Sequence, residues 1–449
     1  VLSPYAQDAV ISFRSCEVLM NLSRESFYTL FFQISGFICA TIAGMIIARA
    51  LGPENKGILA VAILCPYIFF VTFNPTIEAA VIYRIGKKEQ SIKAFTGSIL
   101  MLSFAFSIIA LVGFFITFAQ FRESLYKGIE QKYLMIAISS IPFYFILYYF
   151  SSILRGRMDI KGYNISNQLL NFTNILFILI FITVSSLNLL AAIIAHISGI
   201  IFGGIYAVIK ALKMAKGVYF DKRLGLQLVK DGGKLYVGSI ATFISFPINL
   251  FILNYYANSS EVGFYSVAYA IGNTLLFFCI SLEIVLYPKI AQATMDEAIK
   301  LTEIASRQIL ILTAVGALGV ALFSRYIVLI YGGKSFLPSV KPLLLLLPGV
   351  VLLVIPKALN SIWLRKGWFF QMTLIAVSTA IISLALNFLL IPKFGANGAA
   401  MALSLTYGFI FVVEMVLYTR YVKNDLRRLF IPEKTDTAIY RDIIRIFNK

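Results

Sequence analysis

Apolar stretches of bilayer-crossing length recur along nearly the whole chain, and no other feature constrains its fold as tightly. A membrane-crossing helix needs roughly 20 predominantly apolar residues. Twelve segments meet that measure, at about 24–50, 58–83, 92–118, 132–154, 163–184, 188–212, 230–256, 262–288, 305–331, 337–364, 368–391 and 396–422. Charged residues are 13% of the 449 positions, about half the usual soluble share. Inside hydrocarbon every backbone polar group needs an internal partner, so such spans are helices. The expected fold is an all-α membrane protein with 12 transmembrane helices. Pro66, Pro75, Pro142, Pro247, Pro348 and Pro356 fall inside spans, where kinks or broken helices are expected.

The net charge of +18 suggests either an acidic partner or the basic bias of cytoplasmic loops. The distribution favours the loops. Lys and Arg fall about three to one on the side that holds both termini and the loops after even-numbered spans. Both termini are therefore expected in the cytoplasm. The basic stretch Lys210–Lys234 reads as a linker, with attraction to anionic head groups as the functional alternative. Cys16, Cys39, Cys65 and Cys279 are scattered and form neither a disulfide framework nor a metal spacing. His196 lies in an apolar run and reads as a packed or cavity-lining residue. No catalytic constellation and no cofactor motif are found.

The chain reads as two copies of one unit. Gly57 and Gly263 each open an apolar span after a short polar loop. Glu78 follows its glycine by 21 residues and Glu283 by 20, and each reaches a basic residue, Arg84 and Lys289. Span 4 ends Leu154-Arg155-Gly156 and span 10 ends Leu364-Arg365-Lys366-Gly367; Ala191-Ala192 matches Ala399-Ala400. Six spans per copy insert the same way up, so the copies are related by a pseudo-twofold along the membrane normal. The expected division is an extension at 1–19 ahead of a natural start at Met20, helices 1–6 in a lobe at 20–212, a cytoplasmic linker at 213–229, helices 7–12 in a lobe at 230–424, and a tail at 425–449. In the tail, Ile439, Ile443, Ile446 and Phe447 share the apolar face of an interfacial helix.

Four motifs in order carry a family resemblance. They are Ala48-Arg49-Ala50-Leu51-Gly52-Pro53-Glu54-Asn55-Lys56-Gly57, its counterpart Asn258-Ser259-Ser260-Glu261-Val262-Gly263, Leu154-Arg155-Gly156-Arg157 with Lys161-Gly162-Tyr163-Asn164, and Ile391-Pro392-Lys393-Phe394-Gly395-Ala396-Asn397-Gly398. Over about residues 20–425 the chain resembles the O-antigen and capsule repeat-unit flippases, polysaccharide flippases of the superfamily that also holds the multidrug-and-toxin exporters and the lipid II flippase. It lacks the two extra helices typical of the lipid II branch. The resemblance implies a MATE-like, V-shaped pair of six-helix lobes in the bacterial inner membrane. It implies translocation of an undecaprenyl-diphosphate-linked oligosaccharide to the outer leaflet by alternating access, with no covalent chemistry. Partners would be that lipid-linked substrate, membrane lipids and other polysaccharide-assembly proteins; nucleic acid is not among them.

Such a substrate needs cations for diphosphate and hydrogen-bonding groups for sugar. The candidate cations are Lys357, Arg49, Arg84 and Lys289. Lys357 lies about two turns inside span 10, whereas the other three sit at span ends and read equally as snorkelling anchors. Asn74, Asn249, Asn254, Asn360 and Gln33 are candidate sugar contacts or interhelical hydrogen bonds. Glu78, Glu283 and Glu414 are intramembrane acids. They are expected either to pair with Lys357, Arg84 or Lys289 as an inner gate or to bind a coupling H+ or Na+. The aromatic run Phe143–Phe150 reads as an interfacial belt. An ion-coupled exporter of small organic cations is the alternative function. Its cavity would favour acids, whereas the candidates here mix both signs.

Overall fold

The computed structural model describes residues 4–431 except 88–89, 185–186, 246, 278, 280–289, 291–292 and 423–424, with side chains from Tyr28 onward. The described residues are helical throughout, without a strand. Thirteen α-helices follow in chain order: α1 Pro4–Phe73, α2 Ile77–Gly86, α3 Ile92–Leu125, α4 Gln131–Ile138, α5 Ile141–Gly156, α6 Ile160–Val184, α7 Leu189–Ala215, α8 Lys222–Ser245, α9 Ile248–Tyr256, α10 Ser259–Asn273, α11 Met295–Gly332, α12 Val340–Lys366 and α13 Phe369–Tyr421.

Eight stretches among the described residues are long and apolar enough to cross a membrane, and α8 with α9 make a ninth if their 45° bend is one broken span. Two of the eight, Tyr28–Phe73 and Phe369–Tyr421, have 46 and 53 residues, more than twice what a bilayer core needs. Each is broken once. Gly52 takes φ 71° and ψ 178° in α1, and Gly395 takes φ 54° and ψ −130° in α13. Those conformations suit a residue without Cβ, and each glycine divides its stretch into two helices. Glu283 and Lys289, in the region expected as span 8, and the expected amphipathic helix of 432–449 lie outside the described residues.

The prolines divide by consequence. Pro75 sits in the gap between α1 and α2, Pro142 near the start of α5, and Pro247 caps α9 just past its bend from α8. Pro66, Pro348 and Pro356 lie inside continuous helices. The α1–α2 break holds Thr76 at φ 53°, a left-handed conformation uncommon for a residue with Cβ. Helix α11 starts on a reciprocal cap, the Thr294 hydroxyl accepting from the Glu297 N–H while Glu297 accepts from the Thr294 N–H.

The linker is shorter than expected. Helix α8 begins at Lys222, inside the stretch assigned to 213–229. Its charges do not stop it folding, because Leu224, Gly225 and Leu228 form a buried face along it. The connection between α7 and α8 lies on the first half: the Tyr219 N–H donates to the Lys93 carbonyl, and the Ser98 hydroxyl bonds to the Asp221 backbone.

The pseudo-twofold is visible as a reciprocal contact. A Cβ on Gly57 would overlap the Ser259 carbonyl oxygen, and a Cβ on Gly263 would overlap the Pro53 carbonyl oxygen. Gly57 and Gly263 are 206 positions apart, as are Pro53 and Ser259. Each half lays its glycine on the same carbonyl of the other. Only the missing side chains allow the two helix starts to cross so closely.

Candidate functional site

The two halves meet around a cavity of about 370 Å³. Tyr67 comes from α1, Tyr144 and Tyr148 from α5, Asn249 and Leu250 from α9 and Tyr269 from α10. The spacing explains the wall: 144 and 148 are one helical turn apart and share a face. Tyr144 stacks on Phe70 with ring centroids 5.8 Å apart, and Tyr148 stacks on Phe70 at 4.9 Å. Tyr144, Phe145, Tyr149 and Phe150 are buried. The run expected as an interfacial belt is therefore an interior aromatic wall. Its helix turns those rings toward α1 and the second half, away from the membrane surface. His196 completes the wall from behind, with Nε2 3.1 Å from the Tyr144 hydroxyl.

Tyr269 also lines a second cavity, of about 560 Å³, set within the C-terminal half. Lys357 and Asn360 reach it from adjacent turns of α12, Glu414 and Thr379 from α13, and Thr242 and Ser245 from α8. Lys357 is half-buried and has no ion pair or hydrogen bond among the described residues. Glu414 lies in the same cavity yet pairs elsewhere: it accepts from the Trp363 indole N–H at 2.5 Å and is 6% exposed. Asn273 Oδ1 and Thr379 Oγ1 are buried at the lining without a partner among the described residues. A lysine beside amide and hydroxyl oxygens makes this a polar cavity within apolar helices.

The remaining candidates have other work. Glu78 does not pair with Lys357 or Arg84. It accepts from the Asn74 amide at 3.1 and 3.2 Å, and Asn74 in turn accepts from the Tyr149 hydroxyl at 2.9 Å. Six residues separate Glu78 from Arg84, which turns them about 240° apart around α2. Arg84 instead meets Asp231 of α8 at 2.5 Å and Gln227 at 2.9 Å, joining the two halves. Arg49 donates to the Ile330 carbonyl at 2.6 and 3.1 Å, again from one half to the other. Neither arginine lines either of these two cavities. Asn249 faces the central cavity and donates to the Tyr265 hydroxyl. Asn254 bonds to the Leu125 and Lys127 carbonyls, also between halves.

These contacts close the central cavity at both ends. At one end stand the Gly57–Gly263 crossing, Arg49 and Asn254. At the other stand Arg84, Asp231 and Gln227, with Gly232 laid against the Pro75 carbonyl. Gly57 and Arg84 are 27 residues apart along the broken helix, about 40 Å. Reading the sequence missed Asp231, Tyr67 and Tyr269. Asp231 sits amid basic residues in a stretch resembling a loop, and tyrosine at helical spacing is ordinary core chemistry.

Two helical halves joined at both ends of a central cavity, with a lysine-bearing cavity beside it, define a multi-pass membrane protein of transporter fold. A family model for polysaccharide biosynthesis proteins matches residues 22–294, and the chain belongs to that family. Solved structures share the fold. The lipid II flippase MurJ in an inward closed conformation superposes with a TM-score of 0.75 at 16% identity, over 89% of this chain and 88% of that one. An inward-facing multidrug resistance MATE transporter of the MOP superfamily gives 0.66 at 12% identity, over 89% and 98%. A MOP superfamily transporter from Pyrococcus furiosus, described as having a binding pocket of reverse polarity, gives 0.58 at 14% identity, over 90% and 95%. At these identities the similarity establishes fold alone. A search of curated protein sequences returns no match.

Proposed function

We propose that this protein is a flippase that carries a polyprenyl-diphosphate-linked oligosaccharide, of the undecaprenyl type, from the cytoplasmic to the outer leaflet of a bacterial inner membrane. The observation that carries the reading is Lys357, which has no partner among the described residues, in a cavity whose amide and hydroxyl groups suit sugar hydroxyls. A lysine so placed is a point charge for phosphate. The tyrosines next door offer flat faces and hydroxyls for sugar rings. Membership in a polysaccharide biosynthesis family supports the substrate class.

Transport follows from the closures. Both termini face the cytoplasm, and the Arg84–Asp231 end faces inward, as the basic bias of the loops indicates. Parting Arg84 from Asp231 opens the cavity to the cytoplasm. Parting Gly57 from Gly263 opens it outward. The two openings alternate as residues 20–212 rock against residues 230–424. Glu414 is the candidate carrier for a coupling H+ or Na+, since it shares the cavity with Lys357. Glu78 is the other, held by Asn74 beside the helix break. Other polysaccharide-assembly proteins are expected to deliver and receive the substrate.

The test is leaflet transfer in proteoliposomes. A fluorescent polyprenyl-diphosphate oligosaccharide is supplied, and its exposure to an external sugar-modifying enzyme is followed. Protein-dependent transfer that weakens in Lys357→Ala supports the reading. The alternative, an ion-coupled exporter of small organic cations, draws on Glu414 in the cavity. Ion-driven movement of a cationic dye, with no movement of several lipid-linked oligosaccharides, would favour that alternative.

A further inference from the structure

A third cavity, about 540 Å³, lies between the halves on the side bounded by α1, α3, α9 and α13. That volume is within the roughly 300–1,000 Å³ of ligand sites. Its walls include Ile68 and Phe69, Ile248 and Phe251, and Leu384 and Phe388. Among the described residues no charged group lines it, and the Thr117 and Tyr126 hydroxyls within it face each other at 3.2 Å. Thr72, Tyr255 and Tyr256 also border it, but most of its surface is carbon. A hydrocarbon chain gains most by entering such a space.

Its position gives it a purpose. The wall toward the central cavity is one helix thick. On α1, Tyr67 faces the central cavity and Ile68 the groove; on α9, Asn249 and Leu250 face the cavity and Ile248 and Phe251 the groove. That wall bends beside the groove, where α9 starts after Pro247 at 45° to α8. On its outer side the groove borders lipid-facing surface. Phe388 is 53% exposed, and Phe104 and Phe115 of α3 and Ile381 and Leu389 of α13 are exposed with it. Three cavities thus stand in a row: the Lys357 receptor, the tyrosine-lined space sharing Tyr269 with it, and the apolar groove. Polarity falls along the row from charged to aromatic to largely apolar, the order of a diphosphate, its neighbouring groups and a hydrocarbon chain.

We infer that this groove is a binding site for the polyisoprenyl chain of the substrate, holding the tail between α3 and α13 while the diphosphate lies toward Lys357. The inference rests on the flippase reading and adds to it a tail site and the side of the molecule on which the tail leaves for the bilayer. A phospholipid acyl chain is the competing occupant. Adjacency to the polar cavities across α1 and α9 argues for the substrate's own tail, since head and tail belong to one molecule.

The experiment places photoreactive benzoylphenylalanine at Phe251, which is 8% exposed, in the full chain reconstituted into phosphatidylethanolamine–phosphatidylglycerol vesicles. The probe is radiolabelled polyprenyl diphosphate without sugar. The control carries the same group at Phe104, 68% exposed on α3. The expected result is labelling at 251 at least tenfold above that at 104, removed by excess unlabelled polyprenyl diphosphate but not by phospholipid. Leu384→Trp, which fills the groove from α13, should lower labelling at 251 and leave 104 unchanged. Labelling at 251 no higher than at 104, or adducts only with phospholipid, overturns the groove. Leaflet transfer by the wild type in the same vesicles separates the two readings. Transfer without labelling at 251 sinks the groove alone. If the wild type neither binds nor moves the probe, both fall.

Discussion

The two halves share a fold repeat but not an interior. In the N-terminal half the intramembrane acid Glu78 is tied to Asn74, Asn74 to Tyr149, and the surrounding space is filled by Phe70, Phe145 and Tyr144. In the C-terminal half the corresponding space is open, about 560 Å³, and holds Lys357 beside Glu414. In the first half the partly buried acid is held by a neighbouring amide. The other keeps a cation without a protein partner among the described residues. An unpaired charge inside apolar surroundings is costly and is retained where a ligand pairs with it. On the proposed flippase reading, the asymmetry puts the diphosphate site in the C-terminal half and leaves the N-terminal half as a packed wall.

The largest expected effect breaks that asymmetry. Lys357→Ala should reduce transfer of a diphosphate-linked substrate about 10- to 100-fold, the equivalent of a charge-assisted hydrogen bond of about 1.5–3 kcal/mol. Lys357→Arg should keep most of it. Transfer at the wild-type rate in Lys357→Ala would remove the receptor from the C-terminal half.

Next comes the symmetric part of the molecule. Gly57→Ala and Gly263→Ala each place a methyl group on a backbone carbonyl of the other half. Overpacking of this kind costs about 1–3 kcal/mol. Both should loosen the same end to a similar degree, read as faster maleimide modification of a cysteine introduced at Asn258. A strong effect from one glycine and none from the other would contradict the reciprocal contact.

The two acids sharpen the contrast further. Glu414→Gln should flatten the dependence of transfer on an ion gradient several-fold, because its carboxylate shares the cavity with Lys357. Glu78→Gln should change that dependence less, since a glutamine oxygen still accepts from Asn74. If Glu78→Gln alone abolishes the ion dependence, coupling belongs to the packed half. The smallest effect is at Arg84–Asp231, partly exposed at 17% and 22%. Asp231→Asn should raise access from that end by less than about fivefold, and the wild-type contact should weaken with salt.

Much of this was legible before any coordinates. The Gly57–Gly263 match came from spacing in the sequence and became a physical crossing in the structure. Lys357 stood out because a lysine within an apolar span has few bland explanations. Glu78 was less legible. Its match to Glu283 suggested a gate with Lys357, Arg84 or Lys289; in this structure helix register turns Glu78 from Arg84 and gives each another partner. The aromatic run on α5 misled for a related reason. Membrane interfaces and protein interiors both collect tyrosine, and composition does not distinguish them.

By itself, the sequence determined that the chain is helical and membrane-spanning, that it repeats, and that it carries a small set of intramembrane charges. Those properties follow from solvent transfer and helix periodicity, which act locally along the chain. Only the tertiary structure decided which charges meet. It set Arg84 on Asp231, Arg49 on the Ile330 carbonyl and Lys357 in an open cavity. It also placed an apolar groove beside a polar one. Pairing across the halves depends on helix rotation and on the breaks at Pro75 and Pro247, where a turn of one residue, about 100°, changes the partner.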